Sequence, residues 1–173
     1  MADGTFAVLL VLLSLVDMRQ SDCQTDQGCF AKSQVTSRLA FSSGQVIERQ
    51  ASKTTESYFR YDTRTRRGPL GGAFGASLGG DGEKWIGFGA TYRLQQSDNP
   101  LFAELHFMPG VYLDGGGFDL GGALEFRSGI EFGYEASNGV RVGLSYDHKS
   151  NGGTYDQNPG VETIQIRLSI PFD

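Results

Sequence analysis

GVRVGLSYDHKS (139–150) and VETIQIRLSIPF (161–172) decide the fold. In the first stretch Val140, Val142, Leu144 and Tyr146 are bulky and apolar, while Gly139, Arg141, Gly143, Ser145, Asp147 and Lys149 between them are polar or tiny. In the second, Ile164, Ile166, Leu168, Ile170 and Phe172 alternate with Thr163, Gln165, Arg167 and Ser169. A period of two is the mark of an extended chain whose successive side chains leave opposite faces. The same split recurs at 124–134, where Leu124, Phe126, Ile130, Phe132 and Tyr134 oppose Glu125, Arg127, Gly129, Glu131 and Gly133. It recurs again at 85–94, with Ile86, Phe88, Tyr92 and Leu94 against Trp85, Gly87, Gly89, Thr91 and Arg93.

Working outward, segments of this kind fall at 35–42, 54–64, 69–78, 84–94, 101–113, 120–134, 139–150 and 161–172, separated by Gly, Asp, Asn and Pro. Alternation fixes two faces without saying which is inward. The polar faces carry Arg60, Asp62, Arg93, Glu104, Glu125, Arg127, Glu131, Arg141 and Arg167, both signs interspersed with glycines, which suits a narrow lumen packed with ion pairs. The apolar faces suit lipid, because a closed barrel satisfies every backbone group inside hydrocarbon. A soluble, lipocalin-like barrel with a greasy cavity would have to turn those same charges to water. The expected fold is therefore all-β, an eight-stranded antiparallel transmembrane β-barrel. A length of 173 residues fits one domain, and 25 Gly, 12 Phe and 7 Tyr suit short alternating strands. The formal net charge of -5 offers no basic field for nucleic acid.

Phe6 to Val16 (FAVLLVLLSLV) is too short to cross a bilayer as a helix and matches the apolar region of a secretory signal, although MADGT before it lacks Lys and Arg. The expected division is a signal peptide and N-terminal segment at 1–31 and the barrel at 32–173. Cys23 and Cys29 fall in the first part, where their spacing supports neither a metal site nor a bridge. With a periplasmic N-terminus, the tight turn at Ala136, Ser137 and Asn138 is periplasmic, and the longer connection NGGTYDQNPG (151–160) is external, as barrels of this type require. Ser150 and Glu162 then flank an external loop.

His148, Ser150 and Glu162 stand where the lipid-facing parity calls for Leu or Val. A serine hydroxyl becomes a competent nucleophile when an imidazole can take its proton, and the imidazole needs an acceptor on its other nitrogen. Residues i and i+2 of a strand share a face, about 6 to 7 Å apart, and Glu162 reaches the same face from the adjoining strand. A solvated strand end would also explain such a polar cluster. His106 is expected in the lumen beside Glu104, in a structural hydrogen bond. Tyr155 and Asp156 are expected to be solvated loop residues, with lipid head groups as the other reading.

The stretch FRSGIEFGYEASNGVRVGLSYDHKSNGGTYDQNPGVETIQIRLSIPF resembles the PagL-type lipid A 3-O-deacylases, most closely at His148-Lys149-Ser150-Asn151 and at Gly160-Val161-Glu162. The resemblance implies an outer-membrane enzyme that hydrolyses the ester-linked 3-O-hydroxyacyl chain of lipopolysaccharide. It implies Ser150 as nucleophile, His148 as general base and Glu162 as its orienter, with Asn151 and the N–H of Gly152 as oxyanion-hole donors. It calls for no metal and no cofactor. The expected partner is lipid A in the outer leaflet, with a homodimer as a further partner state. The competing expectation is a non-enzymatic small outer-membrane barrel with a binding or structural role; an acyltransferase is a third.

Overall fold

The computed structural model describes residues 30–48, 51–95 and 99–172, with Leu9, Leu12, Val16 and Gly28 as isolated positions; at 51–53 it describes the backbone only. The expected signal peptide, with Cys23 and Cys29, lies outside these described residues apart from those isolated positions. Among the described residues nine strands form: β1 (Lys32–Gln34), β2 (Ser37–Glu48), β3 (Ala51–Arg67), β4 (Leu70–Gly79), β5 (Lys84–Leu94), β6 (Leu101–Leu113), β7 (Leu124–Glu135), β8 (Arg141–Ser150) and β9 (Val161–Phe172). Each of β2 to β9 pairs antiparallel with its sequence neighbours, and β2 also pairs with β9, so eight strands close into a barrel. The short β1 pairs with the far end of β3, in line with β2. Between them the N–H of Val35 still donates to Arg64 O at 2.8 Å, so the first barrel strand is one line with an irregular step.

Closure leaves β2 to β9 each paired on both sides, which is what hydrocarbon demands of a sheet. The predicted parity holds along β8 and β9: Gly143, Ser145, Asp147, Lys149, Thr163, Gln165, Arg167 and Ser169 are buried, while Val142, Leu144, Ile164, Ile166, Leu168 and Ile170 are exposed. Ile86, Phe88 and Phe132 are likewise on the outer wall, at 60% exposure or more. Inside, Arg127 lies 2.8 Å from Glu56 and 2.5 Å from Asp147, and Arg167 lies 2.7 Å from Glu131. Arg60 meets Glu104 at 2.5 Å, and Lys149 pairs with Glu56. Tyr58, Trp85, Met108 and Tyr112 fill the space around this network. A lumen lined by paired charges and an outer wall of bare Leu, Ile and Phe is the inverse of a lipocalin.

The strand limits differ from expectation mainly at the external end. The first segment, expected at 35–42, runs on to Glu48, and the sixth starts at Leu124 because 120–123 belong to a loop. That loop is held by Tyr112, whose hydroxyl donates to Phe118 O at 2.8 Å. At the end expected to be external the connections include 80–83, 114–123 and 151–160; at the other end are 68–69, 95–100 and 136–140, all shorter than 114–123 and 151–160.

Candidate active site

The site is built by the outer ends of β7, β8 and β9. His148 and Glu162 are direct partners in the β8–β9 ladder, and both side chains leave the barrel outward. His148 Nδ1 lies 3.4 Å from Glu162 Oε1, and the two side chains are 13% and 23% exposed. Nδ1 has no hydrogen bond at this spacing and orientation. The pair is in contact, in the loose geometry common before a substrate tightens a catalytic hydrogen bond. Ser150 follows two positions along the same face, opposite Phe126 of β7. The three residues expected from the sequence therefore share one patch of outer wall at the external rim, and Ser150 forms no hydrogen bond with His148 here.

Three neighbours carry no chemical signal in the sequence. Ser128 is the partner of His148 in the β7–β8 ladder, so the imidazole sits in a row between Ser128 and Glu162. Phe126 stacks on Phe107 with centroids 5.7 Å apart and planes 11° from parallel, giving Ser150 an aromatic flank. Gly160 adopts φ 64°, and a Cβ there would stand 3.0 Å from His148 Cε1 and 3.5 Å from Nε2. The last β8–β9 pair is Lys149 with Val161, so one further step sets Gly160 across from Ser150. A side chain at 160 would therefore press on the His148 ring, on the side of Nε2. Gly160→Ala is expected to lower kcat about 10- to 100-fold by displacing the imidazole, at a backbone cost of about 1 to 2 kcal/mol. Steady-state kinetics beside a thermal melt would separate the two effects; equal kinetics would remove Gly160 from the site.

Asn151 is fully buried. Its side-chain amide donates to Leu120 O at 2.8 Å and Gln157 O at 2.7 Å, and its Oδ1 accepts from Gly153 N at 2.9 Å. Both amide hydrogens are thus committed to loop carbonyls, which corrects the expectation that this side chain donates to an oxyanion. Its work is to tie the 114–123 loop to the 151–160 loop. The Gly152 N–H, next along the chain, bonds to none of the described residues. Asn151→Ala would orphan those two carbonyls, at about 1 to 3 kcal/mol per buried group left unsatisfied. The expected result is faster cleavage within 152–159 in limited proteolysis of the detergent-solubilised protein, with an unchanged fragment pattern counting against the tie.

Two other expectations change. His106 is buried in the lumen as expected, but its nearest charged neighbour is Asp147 Oδ1 at 3.5 Å, not Glu104, and neither ring nitrogen is hydrogen-bonded. Glu104 is instead held by Arg60. Tyr155 is exposed, and more than a solvated loop residue: its hydroxyl accepts from Leu124 N at 3.3 Å, tying the 151–160 loop to the start of β7. Among the described residues no group of three or more His, Cys, Asp or Glu could hold a metal ion.

With this geometry in place, the comparisons with known proteins are decisive for the family. The profile of the family described as lipid A 3-O-deacylase (PagL) matches residues 45–171. The chain belongs to the PagL family. A 53-residue stretch is 34% identical to the lipid A deacylase PagL of Bordetella bronchiseptica, covering 31% of this chain and 30% of that relative, so the match spans under a third of the relative's length. The fold is similar to the crystal structure of the outer membrane enzyme PagL, with a TM-score of 0.63 and 22% identity over 78% of this chain and 99% of the other. It is similar also to a de novo designed transmembrane β-barrel, with a TM-score of 0.60 and 11% identity over 81% of this chain and 98% of the design. Neisserial surface protein A gives a TM-score of 0.52 at 14% identity, over 82% of this chain and 99% of that one. This PagL-family chain is an outer-membrane β-barrel, and its candidate site lies on the lipid-facing side of the wall.

Proposed function

We propose that this protein is a lipid A 3-O-deacylase that works through Ser150, His148 and Glu162. The observation that carries the reading is the His148–Glu162 contact on the outer wall, with Ser150 two positions along the same face. A carboxylate and an imidazole are unfavourable on a surface that meets hydrocarbon, and a hydrolytic role at the membrane interface gives them a reason to be there.

In the proposed reaction, Ser150 Oγ attacks the carbonyl carbon of the ester at the 3-position while its proton passes to His148 Nε2. Glu162 faces Nδ1, fixing the tautomer and stabilising the imidazolium. The oxyanion is met by the main-chain N–H of Gly152, on a loop whose shape Asn151 maintains. Collapse expels the sugar oxygen, which takes the proton from His148. Water, deprotonated by the same imidazole, then cleaves the acyl-enzyme to a free hydroxy acid and restores the serine. The apolar wall on either side of Ser150 can carry the acyl chains without drawing the lipid into the lumen, and the stacked Phe107 and Phe126 rings offer one such surface.

Incubation of the purified protein with lipopolysaccharide, followed by mass spectrometry of lipid A, tests this directly. The expected product lacks one 3-hydroxyacyl chain, which is recovered as free acid. Unaltered lipid A across several defined substrates would favour a non-enzymatic barrel. Recovery of the chain on a second lipid would instead indicate acyl transfer.

A further inference from the structure

The barrel mouth opposite the candidate site opens onto a cavity of about 410 Å³. Arg141 begins β8 at this mouth and Ser150 ends the strand at the other, so the length of β8 separates the two places. Four arginines line the cavity: Arg38, Arg66, Arg93 and Arg141. Three carboxylates, Asp62, Glu104 and Glu135, line it as well, and two of them are drawn to a fifth arginine, Asp62 and Glu104 lying 2.9 and 2.5 Å from Arg60.

The four cavity arginines are unequally served: Arg38 donates from Nε to Ser169 Oγ at 3.0 Å and from Nη2 to Gly139 O, whereas Arg93 has open donors. Arg93 stands 3.9 Å from Glu104 and 3.8 Å from Glu135, Arg66 stands 4.0 Å from Glu104, and Arg38 stands 3.9 Å from Glu135. Arg141 alone approaches Glu135 closely, at 3.0 Å. Arg93 is 8% exposed, and neither its Nε nor its Nη2 has a hydrogen-bond partner. Its guanidinium lies 4.3 Å over the Phe102 ring, a stack that fixes the plane while leaving the donor edge open. A buried guanidinium with open donors is costly unless an acceptor reaches it.

We propose that this cavity binds a phosphate group carried in from the periplasmic side. A tetrahedral anion with several acceptor oxygens can meet more than one guanidinium fork at once, which a single carboxylate such as Glu135 cannot do for Arg38, Arg93 and Arg141 together. The volume exceeds a bare phosphate and leaves room for the group that bears it. That group is either a small soluble phosphomonoester or the phosphoglycerol head of a lipid in the inner leaflet.

The test titrates inorganic phosphate and glycerol 3-phosphate into the full chain, folded in a nonionic detergent at low salt, with calorimetry as readout. Saturable binding at one site per chain is expected. Arg93→Gln should weaken it at least tenfold. Glu135→Gln should tighten it severalfold, because it removes the carboxylate that competes for three of the arginines. Ser150→Ala should bind like the parent, which separates this site from the catalytic reading. Micelles doped with phosphatidylglycerol assign the source: competition points to a lipid head group, and its absence to a soluble ligand. No saturable binding by the parent, equal affinity in Arg93→Gln, or weaker binding in a folded Glu135→Gln would each overturn the proposal.

Discussion

Ser150→Ala is expected to lower the rate of 3-O-deacylation by at least a thousandfold, with the barrel intact. The magnitude follows from the roles assigned above. Without Oγ there is no acyl-enzyme, and His148 has no proton to accept from a nucleophile. Members of such a constellation act as a unit, so losing one removes most of what all three supply. A thousandfold corresponds to about 4 kcal/mol of transition-state stabilisation. The side chain is small, half-buried and unpaired with His148, so the stability cost should be under about 1 kcal/mol. His148→Asn should fall almost as far. Glu162→Ala should fall less, since the imidazole remains and loses only its orienting partner. The measurement is the initial rate of hydroxy acid release from defined lipid A, with heat-modifiable mobility in gels as the check on folding. Retention of a tenth of parental activity by a folded Ser150→Ala protein would remove the serine from the mechanism.

What could be read from the sequence, and what could not, divides along a physical line. The parity of β8 and β9 was legible because charged or tiny residues alternate there with Val, Leu and Ile over whole strands, and a slip of one residue would turn Arg167 and Asp147 to lipid. From parity alone, His148, Ser150 and Glu162 fall on one face, and their antiparallel pairing across an external loop follows from loop length. Ser128 was invisible, and Gly160 stood out only within the family-like Gly160-Val161-Glu162, because small residues advertise no chemistry; the register sets both beside His148. The engagement of Asn151 was hidden for another reason: its partners are main-chain carbonyls of Leu120 and Gln157, and a carbonyl has no residue type. His106 was expected beside Glu104 because i and i+2 share a face. The structure sets it in one row with Gly129 of β7 and Asp147 of β8, and the missing side chain of Gly129 lets the two meet, a contact that depends on strand register, which spacing within one strand does not encode.

The same lumen carries the second large expected effect. Arg127→Met should destabilise the barrel by about 3 to 5 kcal/mol, the cost of leaving a buried charge network without one of its partners. Arg127 has no exposed surface. It donates to Glu56 Oε1 at 2.8 Å, and its Nε and Nη2 reach Asp147 Oδ2 at 2.9 and 2.5 Å. Its guanidinium also lies 3.9 Å over the Tyr58 ring. Methionine keeps much of the volume but none of the donors. Glu56 would retain Lys149 and the Gln165 amide at 2.9 Å, whereas Asp147 would keep only Arg167 at 3.4 Å and the His106 contact at 3.5 Å. Asp147 is therefore the group expected to suffer most, and Arg127→Met combined with Asp147→Asn should be less damaging than Arg127→Met alone. The single tryptophan, Trp85, is buried 5.8 Å from the Arg127 guanidinium, so its fluorescence reports unfolding in denaturant from within the network. A loss below about 1 kcal/mol, or simple additivity in the double variant, would show that the lumen does not depend on this pairing. Because Asp147 and Lys149 flank His148 on β8 with side chains turned inward, the network also holds the strand from which the imidazole projects outward. Where the variant remains folded, its deacylation rate should fall by less than about tenfold, since the wall that presents the site is weakened while its three reacting groups are all still present.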